Sequence, residues 1–215
     1  MLQKFREPVN SLTHLITAGA ALLGLILLLV IGWGQLGKVI SLTIYGLSLI
    51  LLFFASGIYH AIKANPKALV KLRKFDHSAI FLLIAGTYTP ICFNMLEGFW
   101  KWGLLGIVWG LALIGIGVKI LFINAPRWVS VLVYIIMGWL CIFAIREFLA
   151  VLPVGAIIWL MAGGIIFTLG AIVYVTKTLD FFPGVFGFHE VWHIFVILGA
   201  LAHFVMIAYY VAPAY

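Results

Sequence analysis

Charged residues are scarce in this sequence. Only 9% of its 215 residues are Asp, Glu, Lys or Arg, whereas soluble globular domains contain about 25%. The presence of only two cysteines excludes a disulfide framework. Apolar residues make up 66% of the chain and the mean hydropathy is +1.25, which excludes intrinsic disorder. Because too few polar side chains are present to cover a globule in water, the composition predicts a polytopic membrane protein.

Seven apolar runs lie between and beyond the charged clusters, and they are free of Asp, Glu, Lys and Arg except for Glu190 in the last. A helix needs about 20 residues to cross the hydrocarbon core of a bilayer, and about 17–25 are tolerated. The runs therefore predict an all-α fold, a bundle of seven transmembrane helices that forms one domain over residues 1–215. The predicted spans are 11–33, 39–62, 77–96, 102–118, 128–145, 153–176 and 187–212.

Basic residues are distributed unevenly between the two sides of the predicted bundle. Ten of the 13 lie on the side of the N-terminus and three on the other side. Under the positive-inside rule, this bias predicts a cytoplasmic N-terminus and, after seven spans, a C-terminus outside. The basic segment 63–74 is expected to contact anionic lipid headgroups. It contains too few aromatic residues to indicate nucleic-acid binding.

Several ionisable side chains fall at the ends of predicted spans, where they are a functional hypothesis by default. His60 ends the second span, Asp76 begins the third, and His189 and His193 begin the seventh. Because successive spans run in opposite directions, all four belong to the cytoplasmic end. Ser56 precedes His60 by one helical turn, about 6 Å deeper. The sequence thus predicts one polar layer that contains these five residues.

The three histidines of this layer are candidate metal ligands. A spacing of four places His189 and His193 on one helix face, and His60 arrives at the same depth from another helix. Three histidines suit Zn²⁺, and three protein ligands with an open position are typical of catalytic zinc. Cys92 and Cys141 are expected near the outer ends of their helices, too far away to be ligands. The alternative is that the histidines lie among lipid headgroups and hydrogen-bond loop carbonyls.

The motifs of this chain also resemble those of the progesterone and adipoQ receptor family, most closely its bacterial branch of hemolysin III-like proteins. The resemblance extends from the N-terminal segment through the seventh helix. The matching motifs, in order, are Glu7-x-x-Asn10-x-x-x-His14, Ser56-x-x-x-His60, Asp76 after a basic loop, Phe182-Pro183-Gly184 and His189-x-x-x-His193.

This resemblance implies a bacterial cell-membrane protein whose zinc ion is held by His60, His189 and His193. It further implies that Ser56 and Asp76 lie beside the metal-bound water. The family belongs to a wider group that includes alkaline ceramidases, in which such a site hydrolyses a lipid amide. The name hemolysin III implies cytolysis.

Asp76 and Ser56, the polar neighbours of the predicted metal, each have alternative roles. Asp76 is either a general base that later protonates a leaving amine, or a hydrogen-bond acceptor that orients a ligand or water. As a direct ligand it would instead close the fourth position. Ser56 either donates a hydrogen bond to a developing oxyanion or binds the carbonyl of Leu52 within its own helix.

Two functional hypotheses follow. The first is a lipid amide or ester hydrolase of ceramidase type, or a membrane-lipid homeostasis factor, that takes a membrane lipid as substrate and uses a metal-activated water. The second is a non-enzymatic receptor-like sensor or cytolytic factor with a structural zinc. An open fourth ligand position favours the first.

Four other features are assigned outside the metal site. His14 is expected to be a helix-packing contact or a hydrogen-bond partner of the site. His203 lies about 15 Å deeper than His193 and is expected to make an interior hydrogen bond. His77 points about 100° away from Asp76. The aromatic segment around Pro183 and Gly184 is either an interfacial turn or a lipid-facing lid.

Overall fold

The computed structural model of the chain describes residues 5–182 and 185–214. Within them, seven helical segments are long and apolar enough to cross a membrane, as the sequence predicts. Five spans are single α-helices, the fifth is interrupted, and the seventh ends in a short π-helical turn. The helices are α1 (Pro8–Ile31), α2 (Leu36–Ala61), α3 (Pro66–Met95), α4 (Gly98–Leu121), α5 (Arg127–Gly138), α6 (Ile145–Val151), α7 (Val154–Thr176) and α8 (Phe188–Met206).

Helix α3 begins at Pro66, about three turns before the predicted third span. Its start has two local causes. The side chain of Asn65 accepts a hydrogen bond from the backbone N–H of Ala68 at 2.9 Å, and Pro66 occupies the first helical position, where a missing N–H costs nothing. The basic segment that precedes Asp76 is therefore largely helical, so the predicted span describes only the apolar part of α3.

The fifth span, Arg127–Val151, is broken in its middle by a 3₁₀ segment, Trp139–Ala144. Backbone groups released from the helix at this depth have no water to bind. The hydroxyl of Tyr88 on α3 supplies both missing partners: it accepts from the N–H of Cys141 at 2.9 Å and donates to the carbonyl of Gly138 at 2.8 Å. The break is thus stabilised by a neighbouring helix.

Small residues set the spacing of the first three helices. A Cβ atom at Gly57 would lie 2.7 Å from the side chain of Leu15, and one at Gly86 would collide with the side chain of Ser48. Close backbone approach through small residues is a common mode of packing between membrane helices. It fixes α2 between α1 and α3, and α2 is the helix that carries Ser56 and His60.

The helices form two closely packed groups. Helices α1 to α4 pack in sequence order, and α8 packs mainly against α7 and α1. Helix α5 contacts α7 and α3 more sparsely. We call the half of the bundle that contains His60, His189 and His193 the histidine half, and the half that contains Tyr88 the opposite half. The cytoplasmic orientation of the histidine half stays a prediction.

Candidate metal centre

Three histidines from two helices converge in the histidine half. His60 comes from the last turn of α2, and His189 and His193 come from the first two turns of α8. One ligand nitrogen from each ring lies within 4.8 Å of the other two. The ring centroids are 4.8 to 5.2 Å apart. The predicted trio therefore forms a group that can hold a metal ion.

The donor atoms of this group fit a metal ion. Nε2 of His189 and Nδ1 of His193 are buried and have no hydrogen-bond partner among the described residues. Burying a polar atom without a partner is unfavourable in a membrane interior. Neutral imidazole nitrogens are preferred ligands of Zn²⁺, and three of them leave a coordination position open. The chemistry of the trio thus fits the metal that the sequence predicts.

Glu7 is a member of this site that the sequence prediction did not include. Its Oε2 atom lies 2.5 Å from Nδ1 of His60, which leaves Nε2 as the free ligand nitrogen of that ring. Burial raises the pKa of the Glu7 carboxyl, but the hydrogen bond and charge of His60, together with Arg6 and Asn10, outweigh burial and lower the pKa to about 2. Glu7 is therefore ionised at neutral pH and orients His60, as carboxylates do for metal-bound histidines.

A second hydrogen-bond chain joins the start of α1 to the start of α8. The side-chain amide of Asn10 donates to Glu190 at 2.7 Å and to Glu7 at 3.3 Å. The other carboxylate oxygen of Glu190 accepts from the backbone N–H of Gly187 at 2.8 Å and caps α8. The helix that carries His189 and His193 is therefore held against the residues that orient His60.

His14 packs against a ligand ring. Its ring stacks on that of His193 with centroids 3.8 Å apart and planes at 15°, and it meets Phe53 edge-on at 5.0 Å. Neither ring nitrogen of His14 has a hydrogen-bond partner within the described chain. Of its two predicted roles, the structure therefore displays the packing contact.

Asp76 and Ser56 lie beside the histidine trio. Asp76 is buried in the first half of α3 and interacts electrostatically with His60, and the side chain of Ser56 lies beside its carboxylate. In the described residues, the group of mutually close ligand atoms contains only the three histidines, so Asp76 is a neighbour of this group. His77 lies 4.0 Å from Asp76, beyond hydrogen-bond distance.

A cavity of about 690 Å³ opens beside these residues. Its size is typical of small-molecule sites, which range from about 300 to 1,000 Å³. Helix α3 contributes one face at intervals of three and four residues, from Arg73 to Ile91, about 27 Å along the axis. His60, His189 and His193 line the cavity in the histidine half, whereas its lining in the opposite half includes Phe148 and Leu160. The site thus combines polar groups at one end with apolar walls extending into the bundle.

The remaining predicted residues lie apart from the trio. Nε2 of His203 is 3.2 Å from the carbonyl of Leu160, which confirms the predicted interior hydrogen bond. Cys92 and Cys141 are buried, free thiols. Pro183 and Gly184 lie outside the described residues.

Comparisons with known proteins agree with this architecture. The family model described as "Haemolysin-III related" matches residues 2–204. The chain is 39% identical to Hemolysin-3 of Bacillus cereus over 216 aligned positions, covering 99% of this chain and 95% of that protein. It is 37% identical to a Hemolysin-3 homolog of Bacillus subtilis (strain 168), covering 95% and 93%. The chain therefore belongs to the haemolysin III-related family of multi-pass membrane proteins.

Proposed function

We propose that this protein is a zinc-dependent hydrolase that cleaves an amide or ester bond of a membrane lipid. One observation carries the proposal: three histidines with available nitrogens open, together with Asp76 and Ser56, onto a cavity large enough for a lipid chain. His60, His189 and His193 would hold the zinc. When bound, zinc would polarise a carbonyl oxygen and make a water molecule more acidic.

The protein side chains have separate tasks in this proposal. Asp76 accepts a proton from the attacking water and returns it to the leaving amine or alcohol. Ser56 lies beside the carboxylate of Asp76 and would position it by donating a hydrogen bond. Glu7 fixes the tautomer of His60, because Nδ1–H donates to Glu7 and the lone pair of Nε2 is left free. The apolar walls hold the acyl chain and exclude bulk water.

The replacement Asp76→Asn tests the hydrolase directly. It preserves size but removes the proton acceptor, so turnover of a ceramide-like amide or a related ester in liposomes should fall about 10²–10⁴-fold. Zinc content and thermal stability should stay close to those of the wild type. The matched control is Glu97→Gln, which changes an exposed carboxylate outside the cavity and should preserve turnover.

Two outcomes would reject this mechanism. Loss of zinc in Asp76→Asn would make Asp76 a ligand and close the open position. A wild-type protein that binds zinc but cleaves neither lipid amides nor lipid esters would leave no substrate for the proposed chemistry.

A structural role is the second candidate. Helix α2 packs mainly against α1 and α3, whereas α8 packs mainly against α7 and α1. A metal ion on His60, His189 and His193 would join α2 to α8, as expected in a sensor or in a cytolytic factor of the kind that the relatives' name suggests. A phenotype that persists in Asp76→Asn but disappears when zinc is removed favours this role over hydrolysis.

A further inference from the structure

Three cationic side chains line the cavity in the histidine half. Arg73 lies in the third turn of α3, Lys119 in the last turn of α4, and Arg127 at the first position of α5. Lys119 is only 4% exposed. Three different helices therefore present positive charge to the same space.

These cations have only neutral partners. In residues 5–182 and 185–214, no carboxylate lies within 4.0 Å of any of the three. Arg73 donates to the carbonyl of Ile123 and Arg127 to the carbonyl of Tyr174, both at 3.2 Å, and Lys119 donates to the hydroxyl of Ser130. A guanidinium has five N–H donors and an ammonium has three, so most of their donors remain available.

The charge balance of the cavity favours an anion. Arg73 and Lys119 are close enough to repel each other. Of the two carboxylates that line the cavity, Glu7 is bound to His60 and Arg6, and Asp76 interacts electrostatically with His60. Like charges near a low-dielectric interior are unfavourable, and a bound anion would offset that cost.

The cations, the candidate metal centre and the apolar walls lie in the same order as the headgroup, the reactive bond and the chain of a lipid. Arg127 lies 4.7 Å over the ring of Tyr174, whose centroid is 5.5 Å from that of His189. Arg73 precedes Asp76 by three residues, about 4.5 Å along α3 on the same face. Beyond Asp76, this face of α3 continues with apolar residues such as Ile80 and Ile84. The headgroup, the bond to be cleaved and the acyl chain of a bound lipid would thus follow one another along the cavity.

We infer that the substrate of the proposed hydrolase is a lipid with an anionic phosphate or carboxylate headgroup, which Arg73, Lys119 and Arg127 bind. The inference that this lipid is a substrate rests on the proposed function, whereas the anion site itself rests on the three cations. Arg73 belongs to the basic segment 63–74, but the segment as a whole does not form the site. Its Lys67 and Lys71 are exposed and do not line the cavity.

The test compares binding of two single-chain lipids to the full-length purified protein in detergent. Ether-linked lysophosphatidic acid has an exposed phosphate monoester, whereas ether-linked lysophosphatidylcholine with the same alkyl chain is zwitterionic. Neither contains a carboxylic ester or amide that the proposed hydrolase could cleave. The wild type should bind the first at least about tenfold more tightly, since each charge-assisted hydrogen bond contributes on that order. The triple variant Arg73→Gln, Lys119→Gln, Arg127→Gln should lose this preference. The control Lys67→Gln, Lys71→Gln removes two exposed charges and should retain it.

Each arm of the experiment can overturn the inference. Equal affinity for the two lipids, or a preference that survives in the triple variant, rejects the anion site. A preference that disappears when zinc is chelated assigns the anion to the metal instead. Competition by inorganic phosphate at concentrations comparable to the lipid would show that the site takes a free anion and not a headgroup.

A second variant keeps the test decisive if the triple variant does not fold. Lys119→Gln alone should reduce the preference several-fold, because Lys119 is the most buried of the three cations. Binding is measured without turnover, so the two proposals can fail separately. Absent hydrolysis with an intact headgroup preference rejects only the hydrolase, and intact hydrolysis without the preference rejects only the anionic substrate.

Discussion

The two halves of the bundle treat buried polar groups differently. In the opposite half, Tyr88 satisfies the broken backbone of the fifth span and His203 hydrogen-bonds the carbonyl of Leu160, although the buried hydroxyl of Tyr45 has no partner in the described residues. In the histidine half, His189 and His193 have buried nitrogens without a partner in the described chain. Polar groups that are satisfied internally stabilise a fold, whereas those left available are suited to a ligand. This difference distinguishes polar groups that stabilise the fold from those of the candidate site.

Removal of a proposed ligand tests this contrast most strongly. Wild-type protein should carry about one zinc ion per chain. His60→Ala, His189→Ala or His193→Ala should each lose most of it, as measured by elemental analysis of purified protein. Loss of metal should also lower the thermal unfolding midpoint, because an ion that binds only the folded state stabilises it.

The matched control for this prediction is His203→Ala. His203 is a half-buried histidine of α8, the helix that also carries His193, but its nitrogen already has a protein partner. This variant should keep its zinc even if it becomes less stable. Equal zinc contents in the wild type and in the His189→Ala, His193→Ala double variant would contradict the assignment.

Replacing Glu7 should produce the next largest effect. Glu7→Gln removes the negative charge that orients His60, and substitutions of this kind lower metal affinity about 10–100-fold. A competition titration against a chromophoric chelator measures the change. Glu147→Gln, on α6 and outside the cavity lining, is the control and should leave the affinity unchanged. An unchanged affinity in Glu7→Gln would mean that Glu7 serves only to pack α1 against α2.

The smallest expected effect concerns the opposite half. Tyr88→Phe leaves the N–H of Cys141 and the carbonyl of Gly138 without the Tyr88 hydroxyl, which should cost about 1–3 kcal/mol and lower the thermal unfolding midpoint without changing zinc content. Tyr45→Phe is a close control, since the Tyr45 hydroxyl is also buried but has no partner in the described residues. That change should be neutral or slightly stabilising. Equal destabilisation by both would contradict the proposed role of Tyr88.

Much of the fold could be predicted because the bilayer imposes a simple constraint. Apolar runs of helical length with almost no charge predict the spans, and alternating helix direction brings His60 to the same depth as His189 and His193. A spacing of four residues then aligns the two histidines of α8. These are local patterns combined with one geometric rule, and the structure confirms that the three residues lie together.

Other features depend on contacts that local patterns do not encode. The bond between Glu7 and His60 links residues 53 positions apart, and nothing in the spacing of Glu7 specifies its partner. The 3₁₀ break of the fifth span contains no proline, and it persists because Tyr88 from another helix satisfies it. The cavity arises where α5 packs sparsely against its neighbours. Each of these features comes from tertiary packing.

The placement of the ligands on α2 and α8 has a consequence for synthesis of the protein. His60 emerges from the ribosome early, whereas His189 and His193 belong to the last of the seven spans. A chain whose seventh span has not yet inserted can offer only one of the three imidazoles. A zinc ion held by all three residues would therefore be captured only after the bundle is complete, and metal content measured on newly made protein would then report the completion of its assembly.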